Sequence, residues 1–302
     1  MKTLTIGTRT SSLALWQTNH VIEKLQTAWP ELACQKESFV TQGDKTLDKP
    51  LPQIGGKGLF TAELEESLRD GRIDLAVHSL KDLPVADASG LTLSAIIGRA
   101  DARDALVAAN GWTLDALPVG AVVGSSSPRR QAQLLHARPD LQVRSIRGNV
   151  ETRIRKALQG EYDATVLAAA GLLRLNLQTY VTHWLPLTMM LPAPGQGALA
   201  VQCRADDAET LRLLRVIDQP DVRSAVTAER SFLHHLGGGC ALPIAAYAVW
   251  QGERLQLTGF VGTLDGRQRI CVEGVGDDPW ELGAQLAQTA VAQGAQEMLS
   301  HG

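Results

Sequence analysis

This 302-residue sequence predicts an α/β fold with two sheet-bearing units and a smaller α+β module at its C-terminal end. Three features carry the prediction. Short apolar runs alternate with helix-period segments over residues 4–77. The same alternation returns over residues 121–168. After Pro220 it gives way to one helix, three strand-like runs and a last helix. At roughly 150 residues per domain, the length suits two domains or three small ones.

Residues 4–7 read as a strand, and Ser11-Ser12 offers a helix N-cap. Leu15, Ile22, Leu25 and Trp29 step at helical intervals until Pro30 ends the pattern. Residues 33–40 form a second strand. Residues 41–58, rich in Gly, Pro, Asp and Lys, have no apolar period and are too long for a routine connection, so a lid is expected there. Phe60, Leu64 and Leu68 mark a helix closed by Gly71, and residues 73–77 make a buried strand. In the second unit, residues 121–124, 141–146 and 164–168 are strands. Helices are expected over 128–137 and along the Val150, Ile154, Leu158 face. The C-terminal module has a helix through Leu236, strands over 244–250, 255–261 and 267–275, and a helix from Pro279. Breaks near 98–104 and in the Pro- and Gly-rich stretch 191–197 divide the chain.

Composition excludes several classes. Hydrophobic residues at 44% and charged residues at 20% exclude disorder, and a net charge of −3 argues against a general nucleic-acid binder. No apolar run approaches the ~20 residues of a membrane span, and residues 1–7 lack the apolar core of a signal peptide. A cytoplasmic protein that neither enters membranes nor binds nucleic acid is expected. Cys34, Cys203, Cys240 and Cys271 have no C-x-x-C spacing, so neither a disulfide framework nor a zinc cluster is indicated. Cys203 and Cys271 fall in apolar strands, as structural cysteines do. His234 and His235 are adjacent and point to different helix faces, so no metal site is expected.

Positive charge is concentrated. Eight arginines fall between Ala121 and Arg174, and their planar forks suit carboxylate or phosphate oxygens. Arg138, Arg144 and Arg155 read as a solvated face. Of the others, Arg129, Arg130, Arg147 and Arg153 adjoin two strand-to-helix turns. Gly124-Ser125-Ser126-Ser127-Pro128-Arg129-Arg130 combines an N-cap serine, proline at the first helical position and two arginines. Arg147-Gly148-Asn149-Val150 and Arg153 repeat the design at the next turn. Val77-His78-Ser79-Leu80-Lys81-Asp82 leaves a buried strand with a carboxylate beside an ammonium, a pairing suited to proton transfer or to stabilising a cation. Gly237-Gly238-Gly239-Cys240 exposes a thiol in a glycine-rich turn, suited to nucleophilic or covalent attachment chemistry.

These motifs together resemble the porphobilinogen deaminase family, also called hydroxymethylbilane synthases. The resemblance runs in order through Gly7-Thr8-Arg9-Thr10-Ser11, Gly55-Gly56-Lys57-Gly58-Leu59-Phe60, the Asp82 motif, Arg103-Asp104-Ala105, the Ser127 and Arg147 turns, Pro192-Ala193-Pro194-Gly195-Gln196-Gly197, Ala228-Glu229-Arg230 and Gly238-Gly239-Cys240. It departs at Gln53, Ala102 and Ala241. It implies two periplasmic-binding-protein-like α/β domains joined by two crossovers, plus a small C-terminal α+β domain. On that division, domain 1 takes residues 1–97 and 198–216, domain 2 takes 98–197 and domain 3 takes 217–302. It further implies an enzyme that joins four porphobilinogen molecules head to tail, releases ammonia at each coupling and yields hydroxymethylbilane. The family's dipyrromethane cofactor falls on Cys240 through a thioether, and its catalytic aspartate falls on Asp82. By resemblance, Lys81, Ser127, Arg129, Arg130 and Arg174 hold the cofactor, and Arg9, Ser11, Arg147, Arg153, Lys57 and Gln196 meet the substrate. No surplus apolar face in the sequence suggests a partner, so a monomer is expected. Two other readings stand beside it: a non-catalytic anion-binding protein of similar shape, and a phosphate-ester enzyme using the two helix N-termini.

Overall fold

A computed structural model of the chain describes residues 3–45, 61–239 and 242–300. Lys57, most of the expected lid and Cys240 lie outside those residues. Two compact units form. Among described residues, the first takes 3–45, 61–99 and 197–223, and the second takes 100–196, 224–239 and 242–300.

In the first unit, β1 (Leu4–Arg9), β2 (Cys34–Phe39), β3 (Leu75–Ser79), β4 (Leu91–Arg99) and β10 (Ala198–Arg204) make a sheet of order β2-β1-β3-β10-β4. The first three strands are parallel, and β10 runs antiparallel to both β3 and β4. Helix α1 (Ser12–Ala28) lays Val21 and Leu25 on Leu4, Ile6, Leu75 and Val201. Each of these six side chains is removed from water almost completely, and burying an aliphatic chain of this size stabilises by about 1.5–3 kcal/mol.

The second unit repeats the plan. β5 (Asp104–Ala108), β6 (Val122–Gly124), β7 (Gln142–Arg144), β8 (Ala164–Ala168) and β9 (His183–Leu185) are ordered β7-β6-β8-β5-β9. Three parallel strands are again followed by an antiparallel one, here β5. These are the two α/β sheets that the sequence led us to expect. The same unit contains an antiparallel sheet of β11 (Ile244–Gln251), β12 (Arg254–Gly262) and β13 (Arg269–Gly276). The helices Pro220–His235 and Pro279–Ala292 contribute Phe232, Leu282 and Leu286 to its core. Gly259 belongs there because a Cβ would lie 2.5 Å from the Phe232 ring.

One sequence expectation is corrected: Cys271 is exposed on β13, whereas Cys203 is buried in β10. The strands alternate inward and outward, and Cys271 falls on the outward phase between buried Ile270 and Val272.

Candidate functional site

In the first unit, β1 and β3 are parallel neighbours, so their carboxyl ends reach one edge of the sheet, the edge where open α/β sheets bind ligands. β1 ends at half-buried Arg9. Ser11 then caps α1, its Oγ accepting the Ala14 N–H at 3.3 Å, so this hydroxyl has a structural duty besides the expected substrate contact. β3 ends in His78-Ser79 and turns into the single 3-10 turn Leu80–Asp82. Leu80 is fully buried and anchors that turn, Lys81 is half-buried, and Asp82 is exposed. Gln17 Nε2 donates to Ser79 Oγ at 2.7 Å, which fixes the root of the turn. The Asp82 carboxylate makes no hydrogen bond or ion pair to any described residue. Burial, followed by the charge of Arg9, pulls the His78 imidazole down to about 4, so it is neutral at pH 7.

In the second unit, the carboxyl ends of β6, β7 and β8 share one edge. β6 leads through Ser125 and Ser126 to Ser127, whose Oγ accepts the Arg130 N–H at 3.4 Å and caps the helix Pro128–Ala137. β7 leads to half-buried Arg147 and to Asn149, whose Oδ1 accepts the Thr152 N–H at 2.9 Å and caps the helix Val150–Leu158. Between them Gly148 adopts φ +113°, a left-handed conformation disfavoured for any side chain, and its carbonyl accepts Arg153 Nε–H at 2.9 Å. β8 leads into the short helix Ala169–Arg174, which ends in half-buried Arg174. Burial lowers the Arg174 guanidinium to about 10 and lowers that of Arg147 as well. Both are cationic at pH 7 but have already lost part of their hydration, which reduces the cost of meeting an anion.

Arg129 and Arg130 are where the structure departs most from a simple anion-binding picture. Both are buried, and both pair with the fully buried Asp104: Arg129 Nη2 lies 2.8 Å from Oδ2, and Arg130 Nη2 lies 2.7 Å from Oδ1. Arg129 Nη1 also donates to the Leu191 carbonyl at 2.6 Å, and Arg130 Nη1 to the Val166 carbonyl at 2.8 Å. Desolvation lowers the pKa of Arg129, partly offset by Asp104. One carboxylate against two guanidiniums leaves a net charge of +1, and the buried Nε atoms of both arginines have no hydrogen-bond acceptor among the described residues. Gln196, expected at the substrate, is fully buried beside this cluster, and its Nε2 donates to the Ala102 carbonyl at 2.7 Å and to Asp104 Oδ1 at 3.0 Å. Arg138 is corrected from a solvated residue: it is a clamp, paired with Asp140 at 2.6 Å and donating to the carbonyls of Leu114 and Leu117.

Asp104 is the residue that sequence reasoning left without a role. Its signal is an acid opening an otherwise wholly apolar run, Asp104-Ala105-Leu106-Val107-Ala108, because a carboxylate inside a buried strand requires a cation. Among the described residues, no group of three or more His, Cys, Asp or Glu is placed to hold a metal ion.

Comparison with known proteins decides the family. Residues 4–212 match the family model described as porphobilinogen deaminase, dipyromethane cofactor binding domain, and residues 223–292 match its C-terminal domain. The chain belongs to the porphobilinogen deaminase family. The porphobilinogen deaminase of Brevibacillus brevis is 51% identical over 98% of this chain and 96% of its own. That of Roseiflexus castenholzii is 51% identical over 98% of each. Among solved structures, a lipoprotein of the YaeC family from Enterococcus faecalis aligns over 74% of this chain and 93% of its own, at 12% identity and a TM-score of 0.43. In this deaminase-family chain, the long first family match contains every arginine at the edge of β6, β7 and β8 and also Asp82.

Proposed function

We propose that this chain is a transferase that joins four porphobilinogen molecules head to tail, with loss of ammonia at each coupling, to give hydroxymethylbilane for tetrapyrrole synthesis. The observation that carries the reading is the gathering of Arg129, Arg130, Arg147, Arg153 and Arg174 just beyond three parallel strand ends of one sheet. Each porphobilinogen has an acetate and a propionate, so every coupling adds two carboxylates to the bound product. A charge-assisted hydrogen bond is worth about 1.5–3 kcal/mol, and several together retain an intermediate through repeated cycles.

The donor set fits a dipyrromethane cofactor bearing carboxylates of the same kind, because a net-positive buried cluster with two Nε–H donors unused among the described residues suits an anion. By family resemblance, Lys81, Ser127, Arg129, Arg130 and Arg174 would hold it, and Cys240, outside the described residues, would attach it by a thioether. When bound, the cofactor supplies the pyrrole α-carbon from which the product grows. Arg9, Ser11, Arg147 and Arg153 bind the incoming substrate, assisted by Lys57.

Asp82 performs the proton chemistry. Its exposed carboxylate accepts a hydrogen bond from the substrate pyrrole N–H. When the C–N bond of the aminomethyl group, protonated as an ammonium, breaks and ammonia leaves with the electron pair, that carboxylate stabilises the ring cation. After the new carbon–carbon bond forms, it assists removal of the α-proton. Lys81, adjacent in the turn, adds a positive charge for a carboxylate of the reacting rings.

The family resemblance supports division into domains 1–97 with 198–216, 98–197 and 217–302, together with a monomeric, cytoplasmic state. No described helix is long and apolar enough to cross a membrane. The test is twofold. The intact mass of the purified chain exceeds that of the polypeptide by one dipyrromethane, and incubation with porphobilinogen releases ammonia in step with hydroxymethylbilane. A bare polypeptide mass with no ammonia release would overturn the reading.

A further inference from the structure

We infer that Asp104 is a positioning residue for the reaction: an internal carboxylate that orients Arg129 and Arg130 and limits their joint charge to +1. The inference rests on the proposed function, because it concerns how those arginines meet carboxylates of cofactor and substrate.

Four observations carry it. Asp104 is the first residue of β5, the antiparallel strand paired with β8 through Asp104↔Ala168, so it stands at the edge where β6, β7 and β8 end. Its two oxygens are divided, one to each arginine, which sets the two forks relative to one another. A second Nη of each arginine is held by a main-chain carbonyl, leaving each Nε–H as a buried donor with no acceptor among the described residues. Gln196 then fixes the carboxylate itself: Nε2 bridges Oδ1 and the Ala102 carbonyl, between Gly195 and Gly197, whose φ values are +77° and +92°. The orientation of both guanidiniums is thereby tied to residues 102–104 and 195–197. Without Asp104 the pair would carry +2 in a buried site. It would then take up small anions indiscriminately and hold carboxylates too tightly, or in the wrong pose, for stepwise elongation.

The experiment compares wild type, Asp104→Asn, Asp104→Glu and Gln196→Met as full-length proteins. Readouts are intact mass for cofactor loading, kcat and KM from ammonia release, and inhibition by succinate as a simple dicarboxylate probe. Asp104→Asn is expected to load less than half as much cofactor, to lose at least tenfold in kcat in the loaded fraction, and to be inhibited by succinate at a concentration at least fivefold lower than wild type. Asp104→Glu, which restores charge at a displaced position, recovers wild-type succinate sensitivity but only part of kcat. Gln196→Met, which keeps the charge and removes its tether, lowers kcat several-fold without altering succinate sensitivity, and it remains informative if Asp104→Asn does not fold. Wild-type loading, kcat and succinate inhibition in a folded Asp104→Asn variant overturns the inference. So does a loss that merely tracks the folded fraction in all three variants. A wild-type protein with no cofactor mass and no ammonia release instead overturns the functional reading on which the inference rests.

Discussion

Gln17 and Ser79 are joined by a hydrogen bond of 2.7 Å between side chains 62 positions apart in sequence, and this bond fastens α1 to the end of β3 three residues before Asp82. Gln17 is buried, so its amide has no ready substitute partner. Replacing Ser79 with Ala leaves that amide unsatisfied and is expected to cost about 1–3 kcal/mol in urea unfolding. Because the same bond holds the root of the turn, kcat should fall several-fold as well. Unchanged kcat would separate the turn's position from this bond.

Asp82→Asn is expected to retain the wild-type Tm within a degree or two, because the exposed carboxylate makes no hydrogen bond or ion pair to a described residue. Turnover should fall by about 100-fold or more, the scale of losing a positioned proton-transfer group or charge stabiliser. Ammonia release under saturating porphobilinogen reads the effect.

His78 makes stability depend on pH in a defined window. Its folded pKa of about 4 lies below the ordinary 6.5, so the unfolded chain binds the proton more readily. The stabilisation is therefore fully present above pH 6.5 and is lost as pH falls from there toward 4. The shift corresponds to about 3 kcal/mol at most. Urea titrations of His78→Gln at pH 7, 5.5 and 4 should show a shallower loss than wild type, and parallel curves would exclude His78 as the cause.

Gly148→Ala should raise KM more than it lowers kcat. Gly148 adopts φ +113°, and an added Cβ would lie 2.6 Å from Thr152 Cγ2. Relieving that clash moves the carbonyl that holds Arg153 Nε. A cost of about 1–3 kcal/mol in stability with a KM increase of about tenfold is expected, read from steady-state kinetics.

The helix Pro128–Ala137 is legible in the sequence to the residue, because Ser127 and Pro128 announce its start by local chemistry alone. The parallel strands β1, β3, β6 and β8 are legible for a related reason: their largely buried apolar runs are bounded by turn residues. β4, β5, β9 and the helix Ala208–Arg215 are not. β4 shows no clean alternation, and its pairing with β10 is interrupted by register irregularities. β5 opens on Asp104, a charge that looks like a boundary until its arginine partners, 25 and 26 positions away, are seen. Charge singles out the candidate anion-binding arginines at once, but it does not reveal that two of them already share a buried carboxylate. That depends on long-range pairing, as does the clamp made by Arg138.

The position of β10 governs how this protein emerges from the ribosome. The strand sits between β3 and β4, yet its last residue is Arg204. The first sheet therefore lacks an interior member until about two-thirds of the polypeptide has been synthesised. Translation cannot complete the N-terminal unit and then move on. Instead, Val77, Ala95 and Ile97 await Leu199 and Val201, so a truncated nascent chain would present an open, adhesive β-edge to chaperones or to its neighbours on a polysome.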